Sequence, residues 1–303
     1  MAATLGVSID ATRMVATMVD ASSEVCGREQ LTLGSDTPPK RVVLQVAELV
    51  QRFDASALAP AAVGIGFPGL VDHERGWIRS STLFAGWREV RLARAIEARI
   101  GRPCIVDNDV NLAAIAERHR GVAAGSSSFA LLWFGAGLGC AIDLGDSLWR
   151  GVSGGAGELG YVPIGKPGWD LQDVAGGPAV LALAAEHGYS AQTAEEAVAL
   201  AVSKVDRKFL GELATRIALA LAAVAAILDP PLVVLAGEVA QAGGGLLRDL
   251  VEEAFHGATP LRTPIAVTAL HDDAVLLGAL DAGLRAVRDS LIDSLRHALT
   301  PAQ

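Results

Sequence analysis

LLWFGAGLGCAIDLGDSLWRGVSGGAGELGYVP, residues 131–163, is the stretch whose reading decides the fold. An apolar run at 131–134 meets the turn Gly135-Ala136-Gly137-Leu138-Gly139, and a second apolar run follows at 140–144. The pattern predicts a strand, a tight turn and an antiparallel strand, because glycine accepts the positive φ angles such turns need. A turn so rich in glycine also leaves backbone N–H groups bare, which is how protein cradles phosphate. A plain hairpin is the competing reading of that turn. Further on, Gly154-Gly155-Ala156-Gly157-Glu158-Leu159-Gly160 puts one carboxylate, Glu158, in a loop where backbone can approach a ligand closely.

Working outward, 303 residues are long for a single core, so two domains are expected. Half the residues are apolar, which fits a buried α/β globule and excludes disorder. A net charge of −9 argues against a broad nucleic-acid footprint. The opening MAATLGVSID has neither a basic region nor a long apolar run, so no signal peptide is expected. The most apolar helix, near 217–228, reads as too short for a bilayer and hence as core. Cys26, Cys104 and Cys140 are scattered and make neither a disulfide framework nor a metal set. A cytoplasmic protein with no membrane partner is expected.

Apolar segments at 4–9 and 14–19 flank Asp10-Ala11-Thr12-Arg13, repeating the plan seen at Gly135 and suggesting two related halves. Pro38 and Pro39 open a helix with Val42, Val46, Leu49 and Phe53 on one face. Residues 62–67 are a buried-strand candidate ending in Pro68-Gly69. Leu92, Ile96 and Ile100 mark a helix closed by Gly101. Ile105 and Val106 form a short strand that delivers Asp107-Asn108-Asp109, and Asp109 is the expected cap of the next helix. The plan restarts at Phe129. Thr193 with Glu196 makes a capping box, a long helix covers 206–228, and a strand at 232–236 meets Gly237. Helices are expected at 244–256 and 274–287, with a helical tail at 291–299 and a strand at 265–270 between them. Alternating strands and helices imply layered α/β domains with a cleft.

Gly64-Ile65-Gly66-Phe67-Pro68-Gly69, Asp107-Asn108-Asp109-Val110-Asn111, the Phe134 to Gly139 turn, Gly157-Glu158-Leu159-Gly160, Leu235-Ala236-Gly237 and Asp272-Asp273-Ala274 with Leu277-Gly278-Ala279 together resemble the ROK proteins (repressors, open reading frames and sugar kinases). The resemblance covers nearly the whole chain. It implies an α/β, two-domain actin-like and hexokinase-like (ribonuclease H-like) fold with an interdomain cleft. Residues 1–120 would form the N-terminal subdomain and 121–288 the C-terminal one, with a helix at 289–303 packing back on the first. It also implies a sugar site at Asn108, Asp109 and Glu158, joined by Tyr161, Gln172 and Thr82, which stand where the family has histidine, glutamate and asparagine. Asp109 would be the base of a kinase. Asp10, Thr12, Gly135, Gly137, Gly139 and Gly237 match the nucleotide-binding positions.

Several of these positions depart from the family pattern. Ser8, Asp10 and Ala11 stand where Asp-x-Gly-Gly is usual, Ala136 replaces a threonine, and the zinc-binding cysteines are missing from 164–173. A carboxylate in a phosphate turn repels its ligand by about 4 kcal/mol per unit charge at 4 Å and an effective dielectric near 20. Asp10 could instead hold magnesium, or pair with Arg13. The leading expectation is therefore a sugar-sensing domain similar to the effector-binding part of ROK transcriptional regulators. It would have a degenerate ATP-phosphate site, no zinc or other metal site and no cofactor. The winged helix of such regulators is absent from this chain, so it should not bind DNA alone. Its partners would be a small sugar or sugar-phosphate effector and a second copy in a homodimer. The alternative is an ATP-dependent sugar or polyol kinase, glucokinase-like, using Mg-ATP; a purely structural role is the third.

Overall fold

Strands β1 (Ala3–Ile9) and β2 (Arg13–Val19) form the first hairpin, with Ile9 opposite Met14 across the Asp10 turn. The chain continues with β3 (Val25–Thr32), helix α1 (Pro39–Asp54), β4 (Pro60–Phe67), β5 (Leu70–Asp72), β6 (Trp77–Ser80), α2 (Leu92–Ile100), β7 (Cys104–Asn108) and α3 (Asp109–Arg120). The computed structural model describes residues 3–54, 59–84, 86–145, 147–165, 167–271 and 273–299. Asp272 and the end of the expected C-terminal helix, 300–303, lie outside the described residues.

Two compact units result. The first comprises Met1–Ala116, Val152–Gly155 and Asp272–Gln303; the second comprises Glu117–Gly151 and Ala156–His271. The sequence reading set its boundaries at 120/121 and 288/289. In the structure the last segment joins the first unit seventeen residues earlier, because α9 (Ala274–Leu299) is one uninterrupted helix.

In the first unit the five-stranded sheet runs β3-β2-β1-β4-β7, with β1 antiparallel to β2 and parallel to β4. Helix α1 presents the predicted Val42, Val46, Leu49 and Phe53 to the core, each contributing about 1.5–3 kcal/mol by burial. Helix α9 crosses β4 at Gly64, where a Cβ would sit 1.9 Å from the Ala279 carbonyl oxygen, so only glycine admits it. The β5–β6 hairpin was not foreseen.

The second unit repeats the plan. Strands β8 (Phe129–Phe134) and β9 (Leu138–Asp143) form a hairpin, and β10 (Val233–Ala236) and β11 (Ile265–Val267) extend it in parallel, giving the order β11-β10-β8-β9. Each sheet thus has a first strand lying between its hairpin partner and a parallel strand, as the two similar turns suggested. Helices α4 (Gln172–Ala175), α5 (Gly177–Glu186), α6 (Ala194–Ser203), α7 (Arg207–Leu228) and α8 (Glu238–Ala258) surround this sheet. Asp206 caps α7 through the Lys208 and Phe209 N–H groups at 3.1 and 3.2 Å. Helix α7 is the long helix expected at 206–228; at 22 residues it is long and apolar enough to cross a membrane, contrary to the reading of its apolar part near 217–228 as too short, but half of its apolar window is buried in this core. Helix α8 begins at Glu238, six residues before the predicted start, and kinks at Gly244.

Candidate functional site

In the first unit, β7 ends in Asp107 and Asn108 and runs straight into α3. The Asn108 side-chain oxygen accepts the Asn111 N–H at 3.1 Å, so Asn108, rather than the expected Asp109, caps α3. Its amide nitrogen donates to the Gly69 carbonyl at 3.0 Å, tying the strand end to the Pro68-Gly69 turn. Asp109 opens the helix, where the dipole favours a carboxylate, and its Oδ1 accepts the Val110 N–H at 2.9 Å. Beneath them lies Asp107, 0 % exposed, which sequence reasoning did not single out. It accepts the Asn108 N–H at 2.8 Å and the Asn111 amide at 3.3 Å, and lies 3.3 Å from His73 Nδ1. A buried carboxylate so bonded locks Asn108 in place. Thr82 is exposed in a turn closed by Ser81, whose hydroxyl accepts the Leu83 and Phe84 N–H groups. The stacked rings of Phe67, Phe84 and Trp87 anchor that turn to the end of β4.

The Asp10 turn is closed on itself. Asp10 Oδ1 accepts the Thr12 N–H and hydroxyl, both at 2.7 Å, and the Arg13 N–H at 2.9 Å, while Oδ2 accepts Arg13 Nε at 2.9 Å. Burial raises the Asp10 pKa, but these bonds from Thr12 and Arg13 outweigh it and hold the carboxyl below its ordinary range. Four donors of this turn, the Thr12 and Arg13 N–H groups, the Thr12 hydroxyl and Arg13 Nε, are therefore already met by an in-chain anion. Of the readings open for Asp10, the pairing with Arg13 is the one observed.

In the second unit, Gly157 has φ +87° and packs so closely that a Cβ would lie 2.0 Å from the Cys140 carbonyl oxygen. This turn presents Glu158 at the start of a short 3₁₀ turn, Leu159–Tyr161. Glu158 is half-buried, and its carboxylate meets no hydrogen-bond donor among the described residues; burial raises its pKa. A desolvated carboxylate without a partner is a ligand-binding signature. Tyr161 points to solvent, 64 % exposed. Gln172 turns to the glycine turn, its side-chain oxygen accepting the Leu138 N–H at 2.8 Å. Within the same turn the Gly135 N–H donates to the Gly137 carbonyl at 3.0 Å. Glu238 Oε2 lies against Gly135, so that a Cβ there would come within 2.1 Å of it. Gly237, with φ +87°, delivers Glu238 to that place. The cysteine-free segment is closed by backbone bonds, Ile164 N–H to the Trp169 carbonyl and Leu171 N–H to the Val162 carbonyl. Among the described residues no three His, Cys, Asp or Glu side chains converge as a metal site.

A family model described as ROK family matches residues 4–284. The chain belongs to the ROK family. A ROK hexokinase from Thermus thermophilus superposes with a TM-score of 0.79 and 26 % identity, covering 95 % of this chain and 99 % of that one. The fold is therefore the hexokinase-like, actin-like one. A glucokinase from Halalkalibacterium halodurans is 29 % identical over 252 residues, 71 % of this chain and 74 % of the relative. A putative xylose repressor from Caldicellulosiruptor is 27 % identical over 245 residues, 72 % of this chain but only 61 % of the repressor. Glucokinases recur among the other ROK relatives, so sugar kinases outnumber regulators around this chain.

Proposed function

We propose that this ROK protein is a cytoplasmic sugar-binding sensor whose phosphoryl-transfer machinery is blunted. The observation that carries the reading is the Asp10 turn, where the chain's own carboxylate takes up four donors, two backbone N–H groups, the Thr12 hydroxyl and Arg13 Nε. Phosphoryl transfer leaves the protein little to do beyond positioning and neutralising negative charge, and here an anion stands where neutralisation is needed. Glu238 beside Gly135 and Gln172 on Leu138 N–H weigh the same way at the second turn. As they stand, these residues do not fit the phosphates of Mg-ATP. Sugar recognition falls to Asn108 and Asp109 in the first unit, with Glu158 as the candidate of the second. Amides and carboxylates suit adjacent hydroxyls, and sites for small polar ligands use a few such groups. The ligand would be a sugar or sugar phosphate, and the assembly a homodimer.

The second reading is an ATP-dependent sugar kinase, glucokinase-like. The named relatives weigh toward it, and Asp109 stands where that reading needs its base. Calorimetric titration with a panel of hexoses, first alone and then with Mg-ATP, separates the two. A sugar bound without nucleotide and not tightened by it supports the sensor. Binding or turnover that requires Mg-ATP supports the kinase.

A further inference from the structure

We propose that His73 is a positioning residue of the sugar site: through Asp107 it fixes the Asn108 side chain and the start of α3, where Asp109 stands. The proposal rests on the sugar-binding reading. His73 lies in the turn of the β5–β6 hairpin, whose strands have three and four residues. So short a hairpin is marginal on its own, and its place is set by what it touches. Strand β5 is fastened to the end of β7 at both of its own ends. Before it, the Gly69 carbonyl accepts from the Asn108 side-chain amide at 3.0 Å; after it, His73 Nδ1 faces Asp107 Oδ2 at 3.3 Å. Segment 152–155 closes on the same strand, where a Cβ on Gly154 would lie 2.0 Å from the Val71 carbonyl oxygen.

The two oxygens of Asp107 serve different ends. Oδ1 accepts the Asn108 N–H at 2.8 Å and the Asn111 side-chain amide at 3.3 Å, both where β7 passes into α3. Oδ2 faces His73, whose ring is only partly exposed. Burying a carboxylate as completely as Asp107 is costly unless donors surround it. The acid next to His73 does not compete for the ring, because Asp72 is committed to Arg75: its Oδ1 accepts the Arg75 N–H at 3.1 Å and its Oδ2 accepts Arg75 Nη1 at 3.0 Å. Either as imidazolium or as the neutral Nδ1–H tautomer, His73 turns a positive edge toward Oδ2, which pins the carboxylate in one rotamer. The pinned carboxylate in turn holds Asn108, whose Oδ1 accepts the Asn111 N–H at 3.1 Å and whose amide nitrogen is thereby aimed at Gly69. Binding groups keep their geometry only when the residues behind them are themselves locked, and His73 supplies that lock from outside the strand end.

Glucose, mannose and galactose are titrated calorimetrically into the full chain and into its His73→Ala and His73→Asn variants, asparagine being chosen because its amide keeps a donor near the place of Nδ1. Hydrogen exchange of the Asn108 and Asn111 backbone N–H groups is followed in the same three proteins without sugar. His73→Ala should weaken binding of the hexose that the native protein takes by roughly tenfold and speed exchange at both N–H groups by a similar factor, while His73→Asn restores most of both. A residue that merely fills space would not be rescued by the donor. If His73→Ala lacks native circular dichroism, His73→Phe, which keeps a ring and removes the donor, replaces it. Native affinity in the alanine variant, or equal losses in the alanine and asparagine variants, overturns the proposal and leaves the sugar reading standing. No binding of any of the three hexoses by the native protein overturns the sugar reading instead; exchange then decides alone whether His73 orders Asn108, and native exchange rates in His73→Ala overturn that as well.

Discussion

Replacing Glu158 by Gln should make the protein more stable at pH 8. The carboxylate is half-buried with no donor among the described residues, and burial raises its pKa above the ordinary glutamate value of 4.5. The folded state therefore binds its proton more tightly than the unfolded state does. Stability from this group is complete below pH 4.5 and is lost as pH rises through the higher folded value. Gln keeps the shape and removes the charge. Leaving a polar group buried without a bond costs about 1–3 kcal/mol, and partial exposure brings the expected gain to about 1 kcal/mol. Urea unfolding of both proteins from pH 4 to pH 8 measures it. The two curves should coincide near pH 4 and separate progressively above pH 4.5. A variant less stable than the native protein at pH 8, or a difference independent of pH, would refute the reasoning. Sugar affinity should fall in the same variant, since groups kept at a cost to stability serve function.

Gly157→Ala adds a Cβ 2.0 Å from the Cys140 carbonyl oxygen at a φ of +87°, and urea unfolding should show a loss of about 3 kcal/mol. Gln172→Ala strands the Leu138 N–H and should cost about 1–3 kcal/mol by the same method, whereas Gln172→Glu keeps an acceptor there and should cost less. Asp10→Ala removes an exposed ion pair and the bonds to Thr12 and Arg13, for about 1 kcal/mol at neutral pH. Because the folded pKa of Asp10 is depressed, its contribution is present above pH 3.8 and lost as pH falls through the lower folded value. Acid unfolding of the Asp10→Ala variant should lack that step.

The two glycine turns announced both sheets because a strand, a turn and a strand are local, and the register Phe134 opposite Leu138 follows from the turn itself. The face of α1 and the capping box at Thr193 were legible for the same reason. The β5–β6 hairpin was not, since Asp72, His73, Glu74 and Arg75 interrupt any alternation between two very short strands. Nor does any breaker between Val287 and Leu291 divide α9, so the expected tail is a continuation of that helix. At the site, Asn108 and Asp109 are adjacent polar residues at a strand end, and sequence cannot tell which one turns inward to cap α3. Gln172 reaching Leu138 and His73 facing Asp107 join residues 34 positions apart in each case, and no local pattern records such contacts.

The central claim is that sugar recognition survives here without phosphoryl transfer. A coupled assay with Mg-ATP over a broad hexose panel, run beside Asp109→Asn, tests it most directly. Two or three impaired transition-state contacts at about 2–4 kcal/mol each slow the reaction by many thousandfold, so no turnover above background is expected with any sugar that calorimetry shows to bind. Turnover near roughly one per second, a rate common among kinases, and abolished by Asp109→Asn, would contradict the account and establish the kinase.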